Sequence, residues 1–184
     1  MILTIRGTNG CGKSTIVREI IAGYNEVTKI AYPTGYGKKR KAMGLVCSNG
    51  TERALFIPGH YDIDNGGIDT MNDMGLDFVY DLIEKHHELG ADVLYEGNNW
   101  KDSTTRLLKL HKKKMEICVM FISLPLADCI AAVRARGHDI QEKTIRELYN
   151  RSRKDQEKLD DAGVPCFIGT REDVLEYIRK KLNH

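Results

Sequence analysis

No run of apolar residues in this 184-residue chain approaches the roughly 20 needed to cross a bilayer. The opening MILTIRG is apolar but passes straight into a glycine-rich turn, so it reads as a strand and not as a signal peptide. Five cysteines (Cys11, Cys47, Cys118, Cys129 and Cys166) are scattered, odd in number and include no C-x-x-C pair. That excludes a disulfide framework or a structural zinc site. Cys118, Cys129 and Cys166 lie in apolar segments and read as core thiols. A net charge of +2 is too small to announce a nucleic-acid binder by itself. No internal repeat, low-complexity tract or linker is present. The expectation is a cytoplasmic chain without membrane contact, folded as one domain over residues 1–184.

Within those bounds the period of the apolar residues switches repeatedly between strand-like and helix-like. Short apolar strands are expected at Ile2–Ile5, Val27–Tyr32, Asp92–Glu96, Ile117–Ile122 and Val164–Ile168. Leu45–Cys47 and Ala54–Ile57, around Ser48-Asn49-Gly50, read as a pair of strands about a turn. Helical spacing marks Lys13–Ala22, Asp73–Leu89, Thr104–Lys113, Leu126 to about Gly137, Glu142–Leu159 and the C-terminal segment with Val174, Ile178 and Leu182. Alternation of this kind predicts an α/β fold, a parallel sheet with helices on both faces.

The most informative segment is Gly7-Thr8-Asn9-Gly10-Cys11-Gly12-Lys13-Ser14, which satisfies G-x-x-x-x-G-K-[ST] at every fixed position between a strand and an amphipathic helix. Glycines let the backbone turn so that successive N–H groups face a phosphate. The helix that starts there presents its positive dipole end to the same anion. Lys13 would bridge the terminal phosphates of ATP. Ser14 would hold Mg²⁺, with Thr15 in support. This is the P-loop NTPase fold. A GTPase would normally add an N-K-x-D motif, which is absent, and motor ATPases are usually larger, so a small kinase fits best. A nucleotide-dependent binding switch is the reading from another class.

The acceptor should meet ATP at the carboxyl ends of the strands. Glu96 ends the strand Val93-Leu94-Tyr95 and precedes Gly97-Asn98-Asn99-Trp100; its carboxylate can orient Mg²⁺, directly or through water, or accept a proton. The segment from Gly59 to Asp69 concentrates polar groups and glycines after an apolar strand. Asp62 is the first choice there for general base and Asp69 the next, with His60 a contact to the acceptor or a cap. Arg134 and Arg136 close one helix, and Arg146 and Arg153 share a face of the next. Arginines here suit a clamp on the transferring phosphate, with Arg134 or Arg136 preferred. The runs Lys38–Lys41 and Lys112–Lys114 are either solvated surface or phosphate contacts.

The phosphate loop, the Glu96-Gly97 strand end and the late arginine-rich helix resemble the thymidylate-kinase-like superfamily over nearly the whole chain. Thymidylate kinases carry a D-R pair and an E-P-G-G-T type segment; neither occurs here. Instead Tyr36 to Gly44, Gly59-His60-Tyr61, Gly66-Gly67-Ile68-Asp69-Thr70 and Tyr95-Glu96-Gly97 are similar to phage kinases that phosphorylate 5-hydroxymethyluracil within DNA. The resemblance implies a hydroxymethyl acceptor on a base flipped from the stack and work in the host cytoplasm. Under it Tyr36, Tyr61 and Trp100 would stack on that base, while Lys39, Arg40 and Lys41 would hold the DNA backbone. His60, Gly66, Gly67 and Asp69 would shape the pocket. A kinase for free deoxynucleoside monophosphates is the alternative.

Overall fold

Strand β1 (Ile2–Arg6) is buried along its whole length and is the middle one of the five parallel strands of the sheet. The computed structural model describes residues 1–32, 42–50, 53–61, 67–97, 103–137 and 140–183. Seven strands form one sheet in the order β2-β3-β4-β5-β1-β6-β7. β4 (Leu55–Pro58), β5 (Asp92–Glu96), β1, β6 (Ile117–Ile122) and β7 (Cys166–Gly169) are parallel to one another. β2 (Glu26–Tyr32) and β3 (Ala42–Ser48) extend that sheet antiparallel.

Two antiparallel pairings at this edge of the otherwise parallel sheet follow from chain length. Residues 33–41 join β2 to β3 and 49–54 join β3 to β4, whereas a parallel neighbour needs a crossover of about a dozen residues or more. The strand pair expected around Ser48-Asn49-Gly50 is present, with Leu45 opposite Ile57 and Cys47 opposite Leu55.

The pleat sorts each central strand into two core layers. Leu3, Ile5, Leu94, Cys118 and Met120 face α1 (Lys13–Ile21), α4 (Leu126–Ala135) and α6 (Arg171–Lys181). Ile2, Val93, Tyr95, Val119 and Phe121 face α2 (Leu76–Glu88) and α3 (Ser103–Lys112). α2 starts later than the sequence pattern suggests, because residues 68–74 form a 3-10 helix that ends at Gly75. α5 (Glu142–Asp161) is the longest helix among the described residues. The expected core thiols Cys118 and Cys129 are buried, as are Cys11 and Cys47, and Cys166 is half-buried. All five are free. No helix among the described residues is long and apolar enough to cross a membrane.

Candidate active site

Strand polarity decides where chemistry can collect. The parallel strands β1, β5 and β6 all end at one edge of the sheet, and the loop from Gly7 to Gly12 leaves β1 there before turning into α1. Gly12 stands at the helix N-cap with φ 94°, a left-handed conformation that favours glycine. No side chain caps α1, so the first-turn N–H groups of Lys13 and Ser14 face the loop's interior. The loop is braced from outside. A side chain at Gly10 would overlap the Cys129 carbonyl of α4, and Thr8 Oγ1 donates to the Ile145 carbonyl of α5 at 3.2 Å. Lys13 Nζ donates to the carbonyls of Gly7 and Thr8, both at 2.9 Å, which keeps the ammonium over the loop.

The alternation of β5 places Glu96 on the α1 side of the sheet, beside the loop. Glu96 is 7% exposed, and its carboxylate accepts from Ser14 Oγ at 2.8 Å. Gly67 covers this pair from above. Its φ is +149°, and a Cβ there would overlap Glu96 Oε1 and lie 3.8 Å from Ser14 Oγ. The backbone at Gly67 is fixed by His60 N–H and Thr70 N–H donating to the Gly67 carbonyl at 3.3 and 3.2 Å, and by Thr70 Oγ1 donating to it at 2.6 Å. The glycine-rich segment thus meets the phosphate loop through Glu96, joining two parts of the chain more than 50 residues apart.

Asp69 sits in the same electrostatic neighbourhood. Its side chain opens to solvent, yet the surrounding protein withdraws enough water to raise its pKa; the Glu96 charge raises it further, and Lys13 opposes both. Tyr61 carries a correction to the stacking role. It lies in the core at 4% exposure and offers no open face to a base. Burial, followed by the charge of the adjacent Glu96, pushes its pKa well above the ordinary tyrosine value. His60 is half-buried, its backbone N–H bound to Gly67 and Thr70.

Other expected residues fall elsewhere. Arg134 is exposed and pairs with Glu142 at 3.1 Å, while Arg146 pairs with the same carboxylate at 2.6 Å. Arg136 is the exposed C-cap of α4. Lys112–Lys114 run from the last residue of α3 towards the amino end of β6, the opposite edge of the sheet from the phosphate loop, and Lys113 pairs there with Glu84. All three side chains are exposed. Tyr36, Lys39, Arg40, Lys41, Asp62, Gly66 and Trp100 lie outside the described residues.

Sequence reasoning missed Arg6. It is 5% exposed at the end of β1, donates to Ser103 Oγ at 2.7 Å, and packs so closely on Gly97 that any side chain there would overlap its guanidinium. A charged residue between an apolar strand and a phosphate loop was the available signal.

A family model described as 5-hmdU DNA kinase matches residues 1–167. A 5-hmdU DNA kinase of Pseudomonas phage PaMx11 is 28% identical over 188 residues, covering 98% of this chain and 96% of the relative. The 5-hmdU DNA kinase 1 of Salmonella phage ViI is 25% identical over 158 residues, covering 80% of this chain and 65% of that protein. Among solved structures, deoxyadenosine kinase from M. mycoides, with products dCMP and a flexible dCDP bound, aligns with a TM-score of 0.49 at 15% identity, over 100% of this chain and 99% of the other.

Proposed function

This chain belongs to the 5-hmdU DNA kinase family, and from that premise we propose that it transfers the terminal phosphate of ATP to the hydroxymethyl oxygen of 5-hydroxymethyluracil in DNA. The observation that carries the site assignment is the Ser14–Glu96 contact, which couples a phosphate-loop hydroxyl to a strand-end carboxylate. Residues 1–184 serve as one kinase domain, a reading supported by the single seven-stranded sheet. Its work belongs to the host cytoplasm, a reading supported by the phage origin of both relatives.

In the transfer, the acceptor hydroxyl oxygen forms a bond to the γ-phosphorus. The bond from that phosphorus to the β–γ bridging oxygen breaks, and ADP leaves. The hydroxyl proton goes to a carboxylate. Among the described acids, Asp69 suits this duty, because a raised pKa makes its carboxylate a stronger base. Asp62, the first choice from sequence, is the competing assignment. Lys13 follows the charge on the terminal phosphate, exchanging its loop carbonyls for phosphate oxygens. Arg6, buried beside Gly97, holds the end of β5 and so the position of Glu96.

The donor set fits Mg²⁺: one hydroxyl and one carboxylate beside a phosphate loop suit an ion that takes most of its ligands from phosphates and water. The described residues contain no group of three or more acidic, His or Cys side chains that would make a dedicated metal cage. When bound by Ser14 and Glu96, the ion would neutralise charge on the β- and γ-phosphates.

The test is transfer from γ-labelled ATP to duplex DNA containing 5-hydroxymethyluracil, with thymine DNA and free deoxynucleoside monophosphates in parallel. Label on the modified duplex alone supports the reading. Label on the monophosphates alone makes the chain a nucleotide-pool kinase. Slow ATP turnover without dependence on any acceptor makes it a binding switch.

A further inference from the structure

Helix α5 starts on one face of the sheet and ends on the other. Ile145 belongs to the core layer of α1, α4 and α6, and Leu159 to the layer of α2 and α3. These are the buried residues of α5, about four turns apart. Between them the same inward stripe carries Tyr149, Ser152 and Gln156, with Arg153 alongside. Between those two layers the helix crosses strand ends, above a cavity of about 150 Å³ that is lined by all four residues, walled on the sheet side by Phe121, Ile122 and Ile168, and floored by Gly7 and Thr8 of the phosphate loop.

The charge in this cavity is available. Arg134 and Arg146 are committed to Glu142, whereas Arg153 makes no hydrogen bond or ion pair within the described residues. A guanidinium with hydroxyl and amide donors around it is chemistry for a phosphate. ATP is expected at the N-terminus of α1; the α5 cavity instead adjoins the loop at its first two residues. We infer that this cavity is a subsite for a backbone phosphate of the acceptor strand next to the modified nucleotide, with Arg153 as its cation and Ser152 and Gln156 as neutral donors. The inference rests on the acceptor being a nucleotide within DNA. It makes the phosphodiester chain part of recognition, which the free nucleoside cannot supply.

The experiment measures KM for a short single-stranded oligonucleotide containing 5-hydroxymethyluracil, its salt dependence, and KM for ATP, in the wild type, Arg153→Gln and Arg153→Lys. Arg153→Gln raises the oligonucleotide KM about ten- to a hundredfold, the loss expected for one charge-assisted contact. The slope of log KM against log salt falls by about 0.7, one phosphate's share on a single strand, and Arg153→Lys restores it. Thermal melting of the exposed-site variants verifies that they are folded. An unchanged oligonucleotide KM and slope overturns the inference. So does an effect confined to kcat or to the KM for ATP, which would assign the guanidinium to the transferred phosphate. If the wild type labels only free monophosphates, the functional reading itself fails. If the wild type labels the oligonucleotide and Arg153→Gln matches it, the subsite alone fails.

Discussion

Gly67→Ala probes the junction of the two halves of the site with a single methyl group. The added Cβ would fall inside 3.0 Å of Glu96 Oε1, a separation that real Cβ atoms essentially never show. Retreat of the loop is blocked, since the Gly67 carbonyl is held by three donors and the Gly59 backbone packs against it. The carboxylate must therefore rotate away from Ser14, a displacement on the order of 1 Å, which for a positioned catalytic group costs about 10²-fold in rate. Alanine at φ +149° adds backbone strain of roughly 1–3 kcal/mol, which lowers Tm by about 2–4 °C per kcal/mol in a chain of this size. Gly90→Ala is the matched control: its φ is also positive, at +89°, but a Cβ there meets nothing within 4 Å and lies in the turn between α2 and β5. The assay pairs kcat/KM on modified DNA with thermal melting. Both variants lose Tm, and only Gly67→Ala loses activity. A folded Gly67→Ala enzyme with wild-type kcat/KM would refute the proposed junction.

Lys13→Ala should abolish label transfer while circular dichroism shows the fold intact; retained transfer removes the phosphate loop from the mechanism. Asp69→Asn should lower turnover by about 10²-fold or more, as for a lost general base. A near-normal rate in Asp69→Asn with a collapsed rate in Asp62→Asn gives the proton to Asp62. Stability supplies an independent sign. The folded pKa of Asp69 is raised, so its ionisation disfavours the fold above that pKa and has no effect below the unfolded value of about 3.9. Asp69→Asn therefore melts higher than wild type near pH 7, and the gain shrinks as the pH falls towards the ordinary aspartate range. Glu96→Gln keeps an acceptor for Ser14 but removes the charge, so the Mg²⁺ concentration for half-maximal rate should rise; an unchanged Mg²⁺ curve argues against Glu96 in that role.

The strand–loop–helix around Gly7 to Ser14 was legible because its signal is contiguous in the chain, and the strand-end place of Glu96 because an apolar strand ending in an acid needs only local pattern. Strands β5 and β6 fall where the apolar runs put them. The β3–β4 pair was legible from its turn, whereas the antiparallel pairing of β2 with β3 was not, because connection lengths were not weighed. Tyr61 looked like an exposed loop aromatic, but it continues inward from β4 and is absorbed by the core. The Arg134–Glu142 pair was not foreseen, because its partners lie eight residues apart across the turn between α4 and α5. Burial of Arg6 depends on Gly97 and Ser103, about a hundred residues distant, and no periodicity encodes that. The face change of α5 is equally silent, since the helical repeat is the same over a cavity as over a core.

The central claim is the identity of the acceptor atom, and mass spectrometry locates it. After reaction with ATP, modified duplex is digested to nucleosides without phosphatase, and the site of the added phosphate is read by fragmentation. The account predicts one phosphate on the 5-hydroxymethyl oxygen of the base and none in thymine DNA. Phosphate at strand 5′ ends, or on free nucleotides alone, would contradict it.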